Sequence, residues 1–494
     1  MLRLRYLLIT VLGVCCISVK AQDAAVKYNQ FQKQAKQEYA EFRKRCNAEY
    51  AEFLKEAWAW YKAGPVLPKP KDETVPPVVM PEEDIHKPIE SNPVPIDTVV
   101  TPIIDEPAPQ PKPVAPIYEN PNPAEEYLQF TFFGTTGRVR LPAGGNKAVG
   151  LLKNQPSGHQ LAKAWEMLSN GDYDNLIRDC LELRIRHQLC DWAYLLMIRE
   201  IGEQYCGGNS NAATMLTAWI FCQSGYQMRL ADANGKLYLL FGTQHQIYEM
   251  PYFYAGGAKF YPLLRKGEDL PSSAQICEAS FPGEQPLSLY VSSAQSLAEK
   301  LSAERIIKSQ QASATSQVNE NLLEFYSTYP TSMIGENVCS RWAMYANTPM
   351  ADNVKQKLYP QLRNAISGKT DLEAANVLLN WVQAGFTYGY DDKIWGGDRA
   401  FFAEETLYYP YCDCEDRSIL FTRLVRDLLG LKCILVYYPG HLAAAVQFKE
   451  PVKGDYINLD GHQFTVTDPT YIGAPVGRTM PNMDNKKATV ILLQ

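Results

Sequence analysis

The chain has 494 residues, with 48 Lys and Arg against 54 Asp and Glu, and a formal net charge of −6 at pH 7. This length exceeds one ordinary domain of roughly 100–200 residues, and the acidic balance argues against general nucleic-acid binding, which needs a basic face. The composition is globular on average, but 17 of the 33 prolines fall between Pro65 and Pro123, a density that no packed core tolerates.

Residues 1–21 are typical of a secretory signal peptide, because a basic start precedes the apolar run Leu7–Ile17 and Ala21 offers a cleavage site. We therefore expect an exported protein, in the periplasm, in the cell envelope or secreted. A lipoprotein signal lipidated at Cys15 or Cys16 is the alternative. The apolar run is short for a bilayer, and no later segment is apolar enough, so no transmembrane span is predicted after signal removal.

Residues 22–63 predict a long amphipathic helix with an aromatic stripe. Tyrosines recur every 11 residues, as do phenylalanines, and this spacing gives roughly 3.67 residues per turn, as in an almost straight helix. The repeating positions are Tyr28, Tyr39, Tyr50, Phe31, Phe42 and Phe53. The stripe either packs on a domain of the same chain or supports self-association or docking on an envelope partner.

Residues 64–123 mix proline with Val, Ile, Asp and Glu. Such a segment is extended and semi-stiff, so it is interpreted as a linker. A proline-motif ligand for another domain is the alternative.

Residues 124–318 predict a middle α+β domain. A β-hairpin is expected around Gly134–Gly137, helices at 158–169 and 191–204, and two strands joined by Asn234-Gly235, a preferred hairpin turn. Residues 304–320, rich in Ser, Gln, Ala and Asn, indicate a helix or a linker, and a boundary is placed near Asn319.

Residues 319–494 contain the strongest functional pattern. A capping box predicts a helix from Thr370, and Cys414 lies at the start of a second helix that ends at Gly430. Strands follow, with His441 opening one and Asp468 ending another. A thiol nucleophile needs a base, and the base needs an orienting acid. Cys414, His441 and Asp468 are therefore the predicted catalytic residues.

These three residues, in the sequences Asp-Cys-Glu-Asp, Pro-Gly-His and Thr-Asp-Pro-Thr, make the segment resemble the transglutaminase-like superfamily, a papain-related cysteine fold. The resemblance covers about 319–494. It implies an α+β core in which the helix carrying the cysteine packs on an antiparallel sheet, with the nucleophile at Cys414, the base at His441 and the acid at Asp468. Many relatives carry glycine where this chain has Cys412.

Several alternatives remain open at these positions. Cys412 is a second candidate thiol, and it permits a disulfide with Cys433. Cys412, Cys414, Cys433 and His441 are zinc-ligand types, but Cys-x-Cys is not the usual spacing, so no metal and no cofactor are predicted. Besides the backbone N–H of Cys414, Gln383 and Trp395 are candidate donors to an oxyanion.

The middle segment from Gly207 to Leu216 faintly mirrors the segment around Cys414, with Ser210 in place of the thiol and His245 further along. One interpretation is that the middle domain is a degenerate, inactive copy of the same fold, and the alternative is an unrelated helix followed by strands, which gives a similar pattern.

Three functions follow from the sequence. The first is an exported thiol-dependent enzyme that hydrolyses peptide or isopeptide bonds in a protein or peptide substrate. The second is a non-catalytic cell-envelope binding or scaffold module with the same fold. The third is a cross-linking transglutaminase, in which an amine replaces water as the acceptor.

Overall fold

A computed structural model of the chain has a mixed α and β fold, as expected. For residues 2–26, 147, 149 and 485 only the backbone is described. The structure describes residues 2–70, 75–85, 87–103, 124–144, 147–152, 155–269, 272–292 and 294–494. Within those residues, no helix has the length and apolar character needed to cross a membrane.

The N-terminal helix α1 runs from Leu2 to Glu56 and is followed by strand β1, Trp58–Lys62. The predicted helix therefore ends earlier than residue 63. The aromatic run Trp58–Tyr61 suits a strand, and β1 pairs antiparallel with residues 273–277 of the middle unit.

The aromatic stripe of α1 divides into two parts. Tyr50 and Leu54 are buried in the core of the middle unit, and the Tyr50 ring lies 4.3 Å from that of Trp165. Tyr28 and Phe31 are 60% and 69% exposed. Tyr50 of the stripe thus packs on the same chain, whereas Tyr28, Phe31 and Phe53 are exposed.

The described part of the proline-rich segment is extended, but it lies along the folded body. It contributes β2 (Val78–Val79), α2 (Glu82–Ile85), β3 (Asn92–Pro93) and β4 (Thr98–Val100). This differs from the expected free linker, because short extended stretches between prolines can still pair with exposed sheet edges. Residues 104–123 lie outside the described residues.

The middle unit, residues 124–318, begins with the predicted hairpin, whose turn is at Phe133-Gly134. Its strands are β5 (Glu125–Phe132) and β6 (Thr135–Pro142). Its helices are α3 (Lys147–Gly150), α4 (Gly158–Leu168), α5 (Asp174–Arg186), α6 (Asp191–Cys206) and α7 (Ser210–Gln223). Its further strands are β7 (Met228–Ala233), β8 (Lys236–Gly242), β9 (Gln246–Ile247), β10 (Phe253–Ala255), β11 (Ala258–Pro262) and β12 (Ser273–Cys277).

Within the described residues, the main sheet of the middle unit has the order β1-β12-β7-β8-β11-β10. The β7–β8 turn is at Asn234-Gly235, as predicted, and both residues have positive φ. Residues 305–316 form neither a helix nor a plain linker. They form a hairpin of β13 (Arg305–Lys308) and β14 (Ser313–Ser316), which packs on the C-terminal unit.

The C-terminal unit, residues 319–494, begins where Asn319 caps the next helix. Its helices are α8 (Glu320–Tyr326), α9 (Arg341–Asn347), α10 (Asp352–Ile366), α11 (Asp371–Gly385), α12 (Asp391–Ile394), α13 (Ala403–Tyr408) and α14 (Cys414–Leu429). Its strands are β15 (Ser332–Met333), β16 (Thr387–Tyr388), β17 (Tyr411–Cys412), β18 (Lys432–Tyr438), β19 (His441–Gln447), β20 (Asp455–Leu459), β21 (His462–Thr467), β22 (Tyr471–Ile472) and β23 (Thr489–Leu492).

The main sheet of this unit has the order β3-β20-β21-β19-β18-β23-β4 among the described residues. The outer strands β3 and β4 are separated in sequence by residues 94–97 alone, and five Cα steps reach about 17 Å. Seven flat strands would set the outer strands about 29 Å apart. The sheet is therefore strongly curled. Helix α14 packs on β18 and β19, and so brings Cys414 to the strand that begins with His441.

Candidate active site

Cys414 is the first residue of α14 and directly follows the capping residue Asp413. The Asp413 carboxylate accepts from the N–H groups of Glu415 and Asp416 at 3.1 and 3.3 Å, and the Asp416 carboxylate accepts from the Asp413 N–H at 3.2 Å. This reciprocal cap fixes the helix start. A sulfur there lies at the positive end of the helix dipole, which stabilises a thiolate.

One backbone donor approaches the Cys414 sulfur, the N–H of Leu442, which donates to Sγ at 3.5 Å. The Tyr388 side chain lies beside the same cysteine. Burial, together with the nearby Cys414 and Asp413, raises the pKa of Tyr388 far above its ordinary value. The hydroxyl therefore keeps its proton at neutral pH and donates it to the Val75 carbonyl at 3.4 Å.

His441 opens β19 after the turn at Gly440, whose φ is +83°. Its Nε2 donates to Oδ2 of Asp468 at 2.8 Å, and both side chains are almost fully buried. The other ring nitrogen, Nδ1, is buried without a hydrogen-bond partner among the described residues. Leu442, the next residue, donates to Cys414 Sγ, so the thiol and the imidazole lie at the same strand end, but no hydrogen bond joins His441 Nδ1 to Cys414 Sγ.

Asp468 follows β21 and is held by the turn after it. Its Oδ1 accepts from the N–H groups of Thr470 and Tyr471 at 2.8 and 3.2 Å, which leaves Oδ2 for His441. A carboxylate fixed in this way orients the imidazole and stabilises its protonated form.

Gln383, an expected oxyanion donor, takes a different role. It is 3% exposed, and its Nε2 donates to the carbonyls of Asp468, Tyr471 and Ala474 at 3.0, 2.7 and 3.0 Å. Its Oε1 accepts from the Gly473 N–H at 3.1 Å. The amide is thus occupied by the loop 468–474, and Gln383 positions Asp468.

Trp395, the other expected oxyanion donor, packs in an aromatic cluster. Its ring centroid lies 4.9 Å from that of Tyr409 and 5.6 Å from that of Phe401, and the Arg399 guanidinium lies 4.5 Å above it. None of its described contacts is with the three candidate catalytic residues. Its observed contacts belong to the loop before α13.

The neighbouring thiols differ from Cys414 in their surroundings. Burial raises the pKa of Cys412, although Arg417 opposes the shift, and burial raises the pKa of Cys433 to about 12. Both thiols therefore stay protonated at neutral pH. The ten cysteines from Cys46 to Cys433, all within the described residues, form no disulfide, so the Cys412–Cys433 bond is not made.

Carboxylates cluster beneath the start of α14. Oxygens of Asp391, Asp413 and Glu415 lie within 4.8 Å of one another. The Arg399 N–H donates to Asp391 at 2.6 Å and the Trp342 indole N–H donates to Glu415 at 2.5 Å. These acids therefore fasten α9 and the loop 391–401 to the helix start.

Asp416 limits the negative charge near the thiol. Burial, followed by the neighbouring Asp413 and Asp391, raises its pKa well above the usual 3.8. The Asp416 carboxyl also accepts from the Phe401 N–H at 2.9 Å. A carboxyl that stays protonated at higher pH opposes thiolate formation less than an ionised one would.

In the middle unit, the residues that were expected to mirror this site do not meet. Ser210 is the exposed first residue of α7. His245 lies beyond the end of β8, where its Nδ1 is 3.0 Å from Ser332 Oγ. His245 therefore does not occupy the position that His441 has at the start of its strand.

Tyr388 is the functional candidate for which no role was predicted. The available signal was its place in the alternating run Phe386, Tyr388 and Tyr390, just before the cysteine helix. In the structure, Tyr388 ends β16, which pairs in parallel with β17 and so lies beside Cys412 and the helix start.

No protein-family model, curated protein or solved structure matches this chain. The functional assignment therefore rests on the geometry of the site.

Proposed function

We propose that the C-terminal unit is a thiol-dependent acyl-transfer enzyme of the transglutaminase-like, papain-related kind, which hydrolyses peptide or isopeptide bonds. The observation that carries the proposal is the 2.8 Å bond from His441 Nε2 to Asp468, with Nδ1 left over at the strand end that contacts Cys414. The helix start, the base and the orienting acid are the parts that a cysteine nucleophile requires.

The steps follow from these positions. Nδ1 of His441 takes the thiol proton, the Cys414 sulfur bonds to the substrate carbonyl carbon, and the carbon–nitrogen bond breaks as Nδ1 returns the proton to the leaving amine. Water then attacks the thioester, giving one proton to Nδ1, and the thiolate leaves. Asp468 keeps the imidazole oriented in both halves. The N–H of Cys414 and the Tyr388 hydroxyl are the proposed donors to the oxyanion.

The test is acylation by p-nitrophenyl acetate at pH 6, followed by peptide mass spectrometry to locate the acetyl group. We expect Cys414 to be acetylated faster than N-acetylcysteine. His441→Gln is expected to lower the Cys414 rate to that of N-acetylcysteine, and Cys412→Ala is expected to leave the Cys414 rate unchanged. A Cys414 rate no higher than that of N-acetylcysteine, both in the wild type and in the Met80→Ala variant described below, would falsify the proposal. Decay of the acetyl-enzyme with and without monodansylcadaverine separates water from amine as the acceptor.

A second candidate is a binding or scaffold module that does no chemistry. It is favoured by one observation, the complete burial of Cys414 and His441, since a substrate must reach a nucleophile. We propose export for either function, on the signal-like N-terminus alone.

A further inference from the structure

The chain's own proline-rich segment runs beside the candidate site. Cys414 and His441 are 0% exposed. Residues 75–80, here called the strap, cross the site: the Val75 N–H donates to the Gly440 carbonyl at 3.1 Å, and the Val75 carbonyl accepts from the Tyr388 hydroxyl at 3.4 Å. Gly440 directly precedes His441, and the Tyr388 side chain lies beside Cys414.

The other end of the strap binds beside Asp468. Val78 and Val79 pair in parallel with Tyr471 and Ile472 of β22, and the Met80 N–H donates to the Ile472 carbonyl at 2.8 Å. Tyr471 is itself a donor to Asp468 Oδ1. The strap therefore contacts an immediate neighbour of each of the three candidate catalytic residues.

The side chains of the strap alternate as in a bound peptide. Met80 is 5% exposed and packs with Tyr471, Ala474 and Met480, whereas Val79 is 70% exposed. Main-chain pairing with one strand, combined with a pocket for alternate side chains, is the way in which proteins bind extended peptides. The groove on β22 thus has the features of a peptide site that is already filled.

The prolines explain why the strap lies extended in this groove. Pro76, Pro77 and Pro81 fix their own φ, and a residue before proline is also restricted to extended conformations. Ordering such a segment costs little conformational entropy. Beyond the strap, Arg478 donates to the carbonyls of Lys87 and Pro88, and Val94 is buried in the curled sheet, so the strap is tethered next to the site.

We propose, resting on the function proposed above, that the strap is an internal inhibitor which occupies the substrate groove. The substrate class is an extended polypeptide, which displaces the strap and pairs in parallel with Tyr471–Ile472 while an apolar side chain enters the Met80 pocket.

The experiment measures the second-order rate of Cys414 alkylation by iodoacetamide in the full chain, with the modified residue identified by mass spectrometry. Met80→Ala empties the pocket, and Val79→Ala is the matched exposed control on the same strand. We expect Met80→Ala to react about tenfold faster than the wild type, since about 1.4 kcal/mol of lost strap binding changes the open population tenfold, and Val79→Ala to react at the wild-type rate. Val75→Pro, which removes the bond to Gly440 and leaves Met80 in place, is expected to act like Met80→Ala.

A synthetic peptide of residues 75–85 then tests the groove in trans. We expect it to slow alkylation of the Met80→Ala protein in a saturable way, and a scrambled peptide to have no effect. Equal rates for the wild type, Met80→Ala and Val75→Pro, with unchanged urea unfolding midpoints, would overturn the strap. Protection by the scrambled peptide as well would overturn the strand-paired polypeptide site.

Failure of the underlying function gives a different result. If Met80→Ala exposes Cys414 to iodoacetamide, but the thiol reacts no faster than N-acetylcysteine at pH 6, the strap stands as a cover and the catalytic function fails. If the thiol is fast in the wild type and unchanged in both strap variants, the function stands and the strap fails.

Discussion

The middle unit and the C-terminal unit arrange one helix and three strands alike but differ in chemistry. In the first, α7 is followed by β7 and β8, with β11 beside β8; in the second, α14 is followed by β18 and β19, with β21 beside β19. In each unit a side chain from the first helical turn accepts from the second residue of the middle strand. The pairs are Asn211 with Leu237 at 2.9 Å and Cys414 with Leu442 at 3.5 Å.

The middle strands, β8 and β19, also have similar first residues, each with an acidic partner. Lys236 opens β8 and pairs with Glu268 at 2.5 Å, whereas His441 opens β19 and pairs with Asp468 at 2.8 Å. The hydrogen bond from Glu268 raises the pKa of Lys236, so this lysine stays charged and cannot accept a proton at neutral pH. The middle unit therefore shares part of this geometry but lacks the base that the proposed acyl transfer requires. The likeness supports the degenerate copy, which stays a prediction.

Cys414→Ala is expected to separate the two units most strongly. Loss of the nucleophile is expected to lower acylation of the protein by p-nitrophenyl acetate at least about 1,000-fold, because catalysis of this kind collapses without its attacking atom. Ser210→Ala, the matched change at the start of α7, is expected to leave the rate unchanged. Retained acylation in Cys414→Ala would place the chemistry elsewhere.

Asp468→Asn is expected to have the next largest effect. The amide oxygen can still accept from the turn, but the imidazolium loses its counter-charge, so the acylation rate is expected to fall about 100-fold or more. Glu268→Gln is the control in the middle unit and is expected to acylate at the wild-type rate. If the two variants behave alike, Asp468 is a turn residue only.

Gln383→Leu tests the positioning of Asp468. Three carbonyls and one N–H lose their buried partner, and the free energy of unfolding is expected to fall by about 3 kcal/mol in urea titration. The rate constant of acylation is expected to fall as well. Gln223 on α7 forms a comparable pair of side-chain hydrogen bonds with Asn47 and Arg43 of α1. Gln223→Leu is therefore expected to lower the free energy of unfolding without changing the rate constant of acylation.

The smallest expected effect is on the pH dependence of the free energy of unfolding. Burial raises the pKa of Glu404 from 4.5 to about 7, although hydrogen bonds from Ala351 and Tyr326 oppose it. The folded chain therefore keeps a proton that the unfolded chain releases, and stability falls as the pH rises from 4.5 to about 7. We expect Glu404→Gln to remove about 1–2 kcal/mol of that fall, measured by urea unfolding at pH 5 and pH 8.

Glu268 in the middle unit gives the opposite sign and serves as the control. Burial raises its pKa, but bonds from Lys236 and Arg265 outweigh this and leave it below 4.5. Its contribution is present above pH 4.5 and is lost as the pH falls through the lowered pKa. Glu268→Gln is therefore expected to lose stability at pH 8. A pH dependence in Glu404→Gln identical to that of the wild type would contradict the assigned shift.

The sequence predicted those parts of the fold that depend on local signals. The capping residues around Cys414, the apolar spacing of α14, the turn before His441 and the hairpin at Asn234-Gly235 all lie where the local pattern places them. Each signal is contained within a few neighbouring residues, so no knowledge of the tertiary structure is needed.

Contacts between distant residues were not predictable in this way. Gln383 donates to carbonyls 85 to 91 residues away. The Val75 N–H donates to the carbonyl of Gly440, which lies in the other half of the chain. Residues 58–62 continue a helical pattern but become a strand because an open edge at 273–277 is available. The hairpin 305–316 combines Ile306, Ile307 and Thr315 with many small and polar residues, and it packs against the C-terminal unit.

The two short strands β3 and β4 have a consequence for solubility. They pair with opposite margins of the curled sheet, β3 with two residues of β20 and β4 with three residues of β23, so that a single stretch, residues 92–100, covers part of both rows of backbone donors and acceptors. Exposed margins of this kind recruit strands from other molecules and promote aggregation. The C-terminal unit would therefore be aggregation-prone if produced without residues 92–100. In this respect, the proline-rich segment protects the two edges of the sheet from pairing with other molecules.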